Sequence, residues 1–169
     1  MIIRTDASFT RPANTTAYAQ GDVVGPAAGA AVQSFAVPYS RAVVVGAVVS
    51  STAALGALTV LVYETSFTPS ADNAAMVAPG FSNPWRAAFV LGNQITPGAL
   101  TTGFQAIEDT TLAGTYGTIW MKAYPVNITN GTIYGVVVVT DPAAFTPASG
   151  QQFNVSLFVD VPQAELGRF

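Results

Sequence analysis

Charged side chains are scarce in this sequence. Asp, Glu, Lys and Arg make up 9% of the 169 residues, whereas about 25% is typical of soluble domains. The net charge is −3, and Lys122 is the sole lysine. Proteins that bind nucleic acid neutralise phosphates with clustered lysine and arginine, and this chain has no basic run. We therefore expect no nucleic-acid partner, and we expect a surface that is either neutral polar or covered by neighbouring proteins.

Cysteine and histidine are both missing. Without cysteine there is no disulfide framework and no thiolate metal site. Without histidine the chain lacks the commonest general base and the commonest metal ligand, which leaves zinc a poor set of carboxylates. Asp72, Asn73 and Asp141 carry oxygen ligands suited to calcium, but their spacing matches no known calcium loop. The sequence predicts no metal and no cofactor.

The nine carboxylates provide no convincing catalytic pair. Glu108 and Asp109 are the only close pair, and adjacent residues on an extended segment point to opposite sides. A glycosidase needs two carboxylates that face each other, and a serine nucleophile would have no histidine partner. We expect the chain not to be an enzyme.

Long apolar segments are also missing. The longest apolar run, Ala42 to Val49, is far too short to span a membrane. The N-terminal residues Met1 to Asp6 lack the basic region and apolar run of a signal peptide. We expect a protein made in the cytoplasm, with no membrane partner.

Valine and turn-forming residues dominate what is present. The chain has 21 valines against 8 leucines and only 3 glutamates, and β-branched residues favour sheets. Its 11 prolines and 15 glycines recur at short intervals, which is typical of many short strands joined by turns. We predict about eight strands, drawn from nine candidate segments near residues 3–10, 22–24, 32–37, 42–51, 56–65, 86–91, 117–123, 132–140 and 151–161.

The hydrophobic patterns of these segments predict how deeply they are buried. Ala42–Val49 and Tyr134–Val139 are continuous apolar runs, which indicate strands covered on both faces. Phe153–Val161 alternates, which indicates a half-buried strand. Long connections cover residues 67–84, with a helical turn expected within Ser70–Met76, and residues 92–114.

This pattern predicts an all-β fold, namely a two-sheet jelly-roll sandwich with Greek-key connections and two long loops. We find no internal repeat and no linker, so we expect a single domain over residues 1–169, with a short N-terminal arm at about residues 1–12.

Three blocks of the sequence resemble virion structural proteins of tailed bacteriophages. The first is FTRPANTTAYAQGDVVG at residues 9–25. The second is LTVLVYE at residues 58–64, followed by Pro69 and by ADNAA at residues 71–75. The third is YGVVV at residues 134–138, followed by FTPASGQQF at residues 145–153. The blocks occur in the order expected for that family and span most of the chain.

The resemblance implies a jelly-roll head cement (decoration) protein on the outside of the virion's capsid. Such a protein binds the outer surface of the assembled head and bridges neighbouring major capsid subunits. In such proteins the first block is expected to be a scaffold feature rather than a ligand site. Sparse charge and uncovered sheet edges also favour a homo-oligomer, with a trimer as the favoured state.

The residues expected to contact the capsid or a second subunit lie mainly at the N-terminus. Residues 1–6 are expected to add a strand to a neighbour, a mode in which main-chain hydrogen bonds supply the affinity. The candidate contacts are Ile2, Ile3, Arg4, Phe9, Arg11, Trp85 and Phe169.

The alternative is a tail- or fibre-associated β-sandwich that recognises host glycans. Aromatic side chains stack on saccharides, and the candidates are Trp85, Trp120, Tyr116, Tyr124 and Tyr134. Trp120 and Tyr134 lie inside apolar strands and are equally explained as core residues. Trp85 follows Asn83-Pro84 at the end of a long loop, so it is the better candidate for an exposed contact.

Overall fold

In the described part of the chain, ten strands form two antiparallel sheets. The computed structural model describes residues 1–26, 32–53, 55–77, 79, 87–91, 101–104 and 125–162, and this part of the chain contains no helix. The strands are β1 (Ile2–Thr10), β2 (Val23–Val24), β3 (Gln33–Ala36), β4 (Arg41–Ser51), β5 (Leu58–Tyr63), β6 (Ala87–Leu91), β7 (Thr101–Phe104), β8 (Pro125–Asn127), β9 (Thr132–Val139) and β10 (Gln152–Asp160).

The order of the strands is that of a jelly roll. The first sheet has the order β1-β10-β4-β7, and the second has the order β2-β9-β5-β6. The short strand β8 pairs with the first residues of β4, beside β7, and β3 likewise shares one side of β9 with β2. The chain therefore crosses repeatedly between the sheets, as from β4 to β5 and from β9 to β10, which confirms the predicted two-sheet jelly-roll sandwich.

Most predicted strands are confirmed, and two observed strands were missed. The predicted strand at residues 117–123 lies outside the described residues. Strand β7 (Thr101–Phe104) lies within the predicted loop 92–114, and β8 (Pro125–Asn127) was not predicted. Neither segment has an alternating apolar pattern; each pairs with one part of β4, so its strand conformation depends on a tertiary contact that the local sequence does not encode.

The core lies between the two sheets, where one side of each strand is apolar. β10 follows the predicted alternation, and its inward residues are all buried: Phe153, Val155, Leu157, Val159 and the following Val161. β9 is buried on both faces from Gly135 to Val139, as its continuous apolar run predicted. β4 alternates instead between buried and partly exposed residues, so its predicted double-sided burial is not observed among the described residues.

The predicted N-terminal arm is an integral strand of the sandwich. β1 pairs with β10 over its whole length, from Ile2 opposite Asp160 to Thr10 opposite Gln152. Ile3, Ala7 and Phe9 pack against the core. Phe9 also stacks on Phe153, with 5.2 Å between ring centroids. The segment joins the sheet because small and apolar side chains recur at every second position on its inward face. The strand then ends before Pro12, which has no N–H to donate.

Candidate functional site

An arginine is buried at the point where the first sequence block leaves β1. Arg11 is 1% exposed, which is rare for a guanidinium unless its donors are paired. Its backbone N–H still follows the β1–β10 ladder and donates to the carbonyl oxygen of Gln151 at 3.1 Å. Pro12 ends the strand because it has no N–H to donate. The side chain is thus held at one end of the sandwich, between the two sheets' connecting loops.

Every nitrogen of the Arg11 guanidinium has an acceptor. Nε donates to the Tyr18 hydroxyl at 2.9 Å. Nη1 donates to the carbonyl oxygens of Asn14 at 2.6 Å and Ala148 at 3.3 Å. Nη2 donates to Oδ1 of Asn14 at 3.1 Å and Oδ2 of Asp72 at 3.3 Å. The guanidinium also lies 5.1 Å from the centroid of the Tyr18 ring, a cation–π contact.

Asp72 supplies the charge that balances Arg11. Its side chain is 6% exposed. Oδ1 accepts from the Tyr18 hydroxyl at 2.5 Å and from the backbone N–H of Gly25 at 2.9 Å. Burial, together with donation to Asp72, raises the pKa of Tyr18 well above its ordinary value. Tyr18 therefore stays a neutral donor to the carboxylate and an acceptor for the guanidinium at all physiological pH values.

A second carboxylate ties the same segments together. Asp22 accepts from the backbone N–H of Ala19 at 2.7 Å. With its amide oriented to satisfy both partners, Asn73 donates to Oδ2 of Asp22 at 3.1 Å and to the carbonyl of Ala17 at 3.0 Å. Asn73 adopts a left-handed conformation with φ of 58°, which asparagine tolerates better than most residues. The turn at residues 72–74 is thereby pinned to the first block.

The three sequence blocks meet at this cluster. Tyr18 and Asp22 come from the first block, and Asp72 comes from the second. From the third block, Phe145 stacks on Tyr18 with 5.9 Å between centroids, and the carbonyl of Ala148 accepts from Arg11. We call Arg11, Tyr18, Asp72 and Phe145 the framework cluster. Its two charged groups, Arg11 and Asp72, are buried and paired with each other, as a scaffold role for the first block predicts.

The framework cluster corrects two predictions. Arg11 and Phe9 were expected to contact a partner, but both are buried inside the sandwich. The expected helical turn within Ser70–Met76 is absent: the segment forms a turn in which the carboxylate of Asp72 enters the cluster, and Ala75 bridges to Asp22. The carboxylate of Asp72 accepts from Arg11, Tyr18 and Gly25. A turn can direct it to these donors, whereas at the N-cap of a helix it would accept from the N–H groups of its own segment.

The connection after β5 covers the outer face of the second sheet. Tyr63, Val136 and two further valines (Val23 and Val138) are buried there, and Phe67 and Met76 of the connection pack on them. Tyr63 contacts Phe67 edge to face at 4.7 Å. Burial raises the pKa of Tyr63 to about 12. Tyr134, one of the aromatic residues considered for glycan stacking, packs against this same cluster.

The outward face of β1 remains accessible. Ile2 is 64% exposed, and the Arg4 side chain is 55% exposed. Ile3 points inward and packs against the core. Of the predicted contacts, Ile2 and Arg4 are therefore available to a partner, whereas Trp85 and Phe169 lie outside the described residues.

Small polar side chains cover the outer face of β1 and β10. Ser8 donates to Asn154 at 2.7 Å, and Arg4 Nε donates to Asp6 at 2.9 Å. Burial opposes the charge on Asp6, but hydrogen bonds from Ser156 and Arg4 outweigh it and keep the pKa of Asp6 below its usual value. A shallow open depression of about 350 Å³ lies at the Ser8 end of this face. Its lining side chains are hydroxyl, amide and phenyl groups, and none is a general acid or base.

In the part of the chain that the structure describes, acidic side chains form no group of three or more that would suit a metal ion. No helix of that part is long and apolar enough to cross a membrane. Comparisons of the chain with protein-family models, with curated proteins and with solved structures found no match.

Replacing Arg11 tests the framework cluster. Arg11→Met leaves the buried carboxylate of Asp72 without its balancing charge, so we expect the free energy of unfolding to fall by about 3–5 kcal/mol. Arg41→Met is the matched control, since Arg41 is exposed, and surface changes alter stability by about 0.5 kcal/mol or less. Urea denaturation measures both. Equal losses in the two variants would contradict the assigned role.

The two buried tyrosines predict a loss of stability at alkaline pH. Tyrosine in the unfolded chain ionises near pH 10, whereas Tyr18 and Tyr63 keep their protons to higher pH in the fold. Above about pH 10 the unfolded state therefore binds fewer protons, and each tyrosine lowers stability by up to about 1.4 kcal/mol per pH unit. Urea denaturation between pH 8 and pH 11 should show this slope, and Tyr18→Phe should reduce it. An unchanged slope in that variant would contradict the assignment.

Proposed function

We propose that this chain is a cement (decoration) protein of a tailed-phage head. It binds the outer surface of the assembled head and bridges neighbouring major capsid subunits. The observation that carries the proposal is the convergence of the three resembling blocks on the framework cluster of Arg11, Tyr18, Asp72 and Phe145. Blocks that are far apart in the chain thus contact one another in the fold. The residues that resemble phage virion proteins therefore share one structural role.

The framework fixes the loops at one end of the sandwich and leaves the strand edges for contacts with the shell. A pressurised shell fails where neighbouring subunits part. A protein that binds across the seam of the closed shell, but not to parted subunits, stabilises the closed state by mass action. Loops that are already ordered favour binding, because the ordering of loops on binding reduces the net binding free energy.

The contact chemistry follows from what the surface offers. In the described residues, exposed charges near β1 are already paired: Arg4 with Asp6, and the N-terminal ammonium of Met1 with Asp160. The large exposed apolar side chains in those residues are Met1, Ile2 and Val77. Apolar and main-chain contacts therefore supply the binding to the shell, with Ile2 and Arg4 at the interface. Trp85 and Phe169 stay predicted contacts.

Cryo-electron microscopy of virions tests this proposal. An antibody against this chain, applied to virions of the phage that carries its gene, should mark the outside of the head at regularly spaced positions. Virions produced without the gene are the matched control, and they should lose the corresponding density and release DNA at lower temperature. A label confined to the tail or fibres would favour the glycan-recognising alternative. A virion without any label would overturn both.

A further inference from the structure

Strand β1 is the long edge strand of the described sandwich. It has nine residues, whereas the strands at the other edges, β2, β3, β6, β7 and β8, have two to five. Long edges invite pairing with another chain, and proteins usually protect them with proline, bulges or charged side chains, lysine above all. β1 contains neither proline nor lysine, and its register with β10 is unbroken. No described segment pairs with its other side.

The backbone groups that face this open edge can be assigned from the hydrogen bonds at the two ends of β1. The N–H of Val161 donates to Met1 at 2.9 Å, and the N–H of Arg11 donates to Gln151 at 3.1 Å. Met1 and Arg11, which flank β1, are both odd-numbered, and the ladder between them has no bulge. Antiparallel pairs alternate, so odd residues bond to β10. The N–H and C=O groups that point to the open edge belong to Ile2, Arg4, Asp6, Ser8 and Thr10.

Two opposite charges stand side by side at this edge. The side chains of Arg4 and Asp6 are 55% and 43% exposed. Only Nε of Arg4 bonds to its own Asp6, which leaves the two terminal nitrogens of the guanidinium for a facing carboxylate. Opposite charges directly across two strands stabilise their pairing, whereas like charges destabilise it.

We propose that the open edge of β1 binds a second copy of this chain. The two β1 strands run antiparallel about a two-fold axis at Thr5, so that Arg4 faces the partner subunit's Asp6 and Ile2 faces the partner subunit's Ser8. All four of these residues direct their main-chain groups to the edge, so the ladder closes with hydrogen-bonded pairs. An axis one residue away, at Arg4 or Asp6, places like charges opposite each other.

The contact joins two sandwiches through one continuous sheet. It is isologous, because the same patch serves both copies, and it closes as a dimer. The inference therefore departs from the trimer that composition favoured. It goes beyond the proposed function and does not rest on it, since the purified chain alone is sufficient to test it.

Wild-type protein provides the first test. Sedimentation from about 1 µM to about 200 µM should show a monomer–dimer equilibrium in a range typical of modest interfaces. In the same samples, amide hydrogen exchange should slow with concentration at Ile2, Arg4, Asp6 and Ser8, but not at Thr10, which extends beyond the paired region. A monomer throughout, or an oligomer without this protection, overturns the proposal.

Charge variants provide the second test. Arg4→Asp and Asp6→Arg each place like charges across the axis, and each should weaken self-association by roughly tenfold to a hundredfold. An equal mixture of the two should restore the dimer, because every facing pair is then opposite in charge. Arg41→Asp is the matched control, since it changes the same charge at an exposed position of β4. Normal dimerisation of either single variant, or no recovery in the mixture, overturns the register.

Discussion

A buried guanidinium is the constraint on which the rest of this structure depends. Arg11 sits at the end of β1, shielded from water, and such a charge is tolerated only if every donor is satisfied and the charge is balanced. Asp72 balances it from a turn 61 positions along the chain, and carbonyl oxygens from two further loops complete its contacts. The loops at this end of the sandwich therefore have one geometry that satisfies the arginine. Any loop that moved away would leave a buried charge unpaired.

Features encoded by a local pattern could be predicted from the sequence, whereas features that depend on tertiary contacts could not. The continuous apolar runs in β4 and β9 and the alternating apolar residues of β10 mark these segments as buried strands, so the strands and their two-sheet arrangement followed from the sequence. The framework cluster did not, because Arg11 and Asp72 look like ordinary surface charges until topology brings them together. A signal was present nonetheless: an arginine next to proline at the end of a strand, within a block rich in Asn, Tyr and Asp, in a chain with few charges. Strands β7 and β8 were missed because their pairing with β4, and not their sequence, holds them extended.

Fixing the loops internally determines what remains for a partner. The connection after β5 is packed onto the second sheet through Phe67 and Met76 and is tied to the framework cluster through Asp72. The first block is likewise bonded inward. The open side of β1, with Ile2 and Arg4 on its outward face, is what this internal bonding leaves exposed. Among the described residues, the long edge of β1 is therefore the part of the sandwich suited to assembly, either with a second copy or with a shell.

Through the framework cluster, the turn at residues 72–76 forms one cooperative unit with the sandwich. Native-state hydrogen exchange tests it most directly, through the amides of Val23, Asn73 and Met76, which bond across the junction to Ala74, Val23 and Gly21. We expect these amides to exchange only with global unfolding, at the same free energy as the central amides of β9 and β10. Exchange at a much lower free energy, with β9 and β10 still protected, would show that the turn opens by itself and would contradict the account.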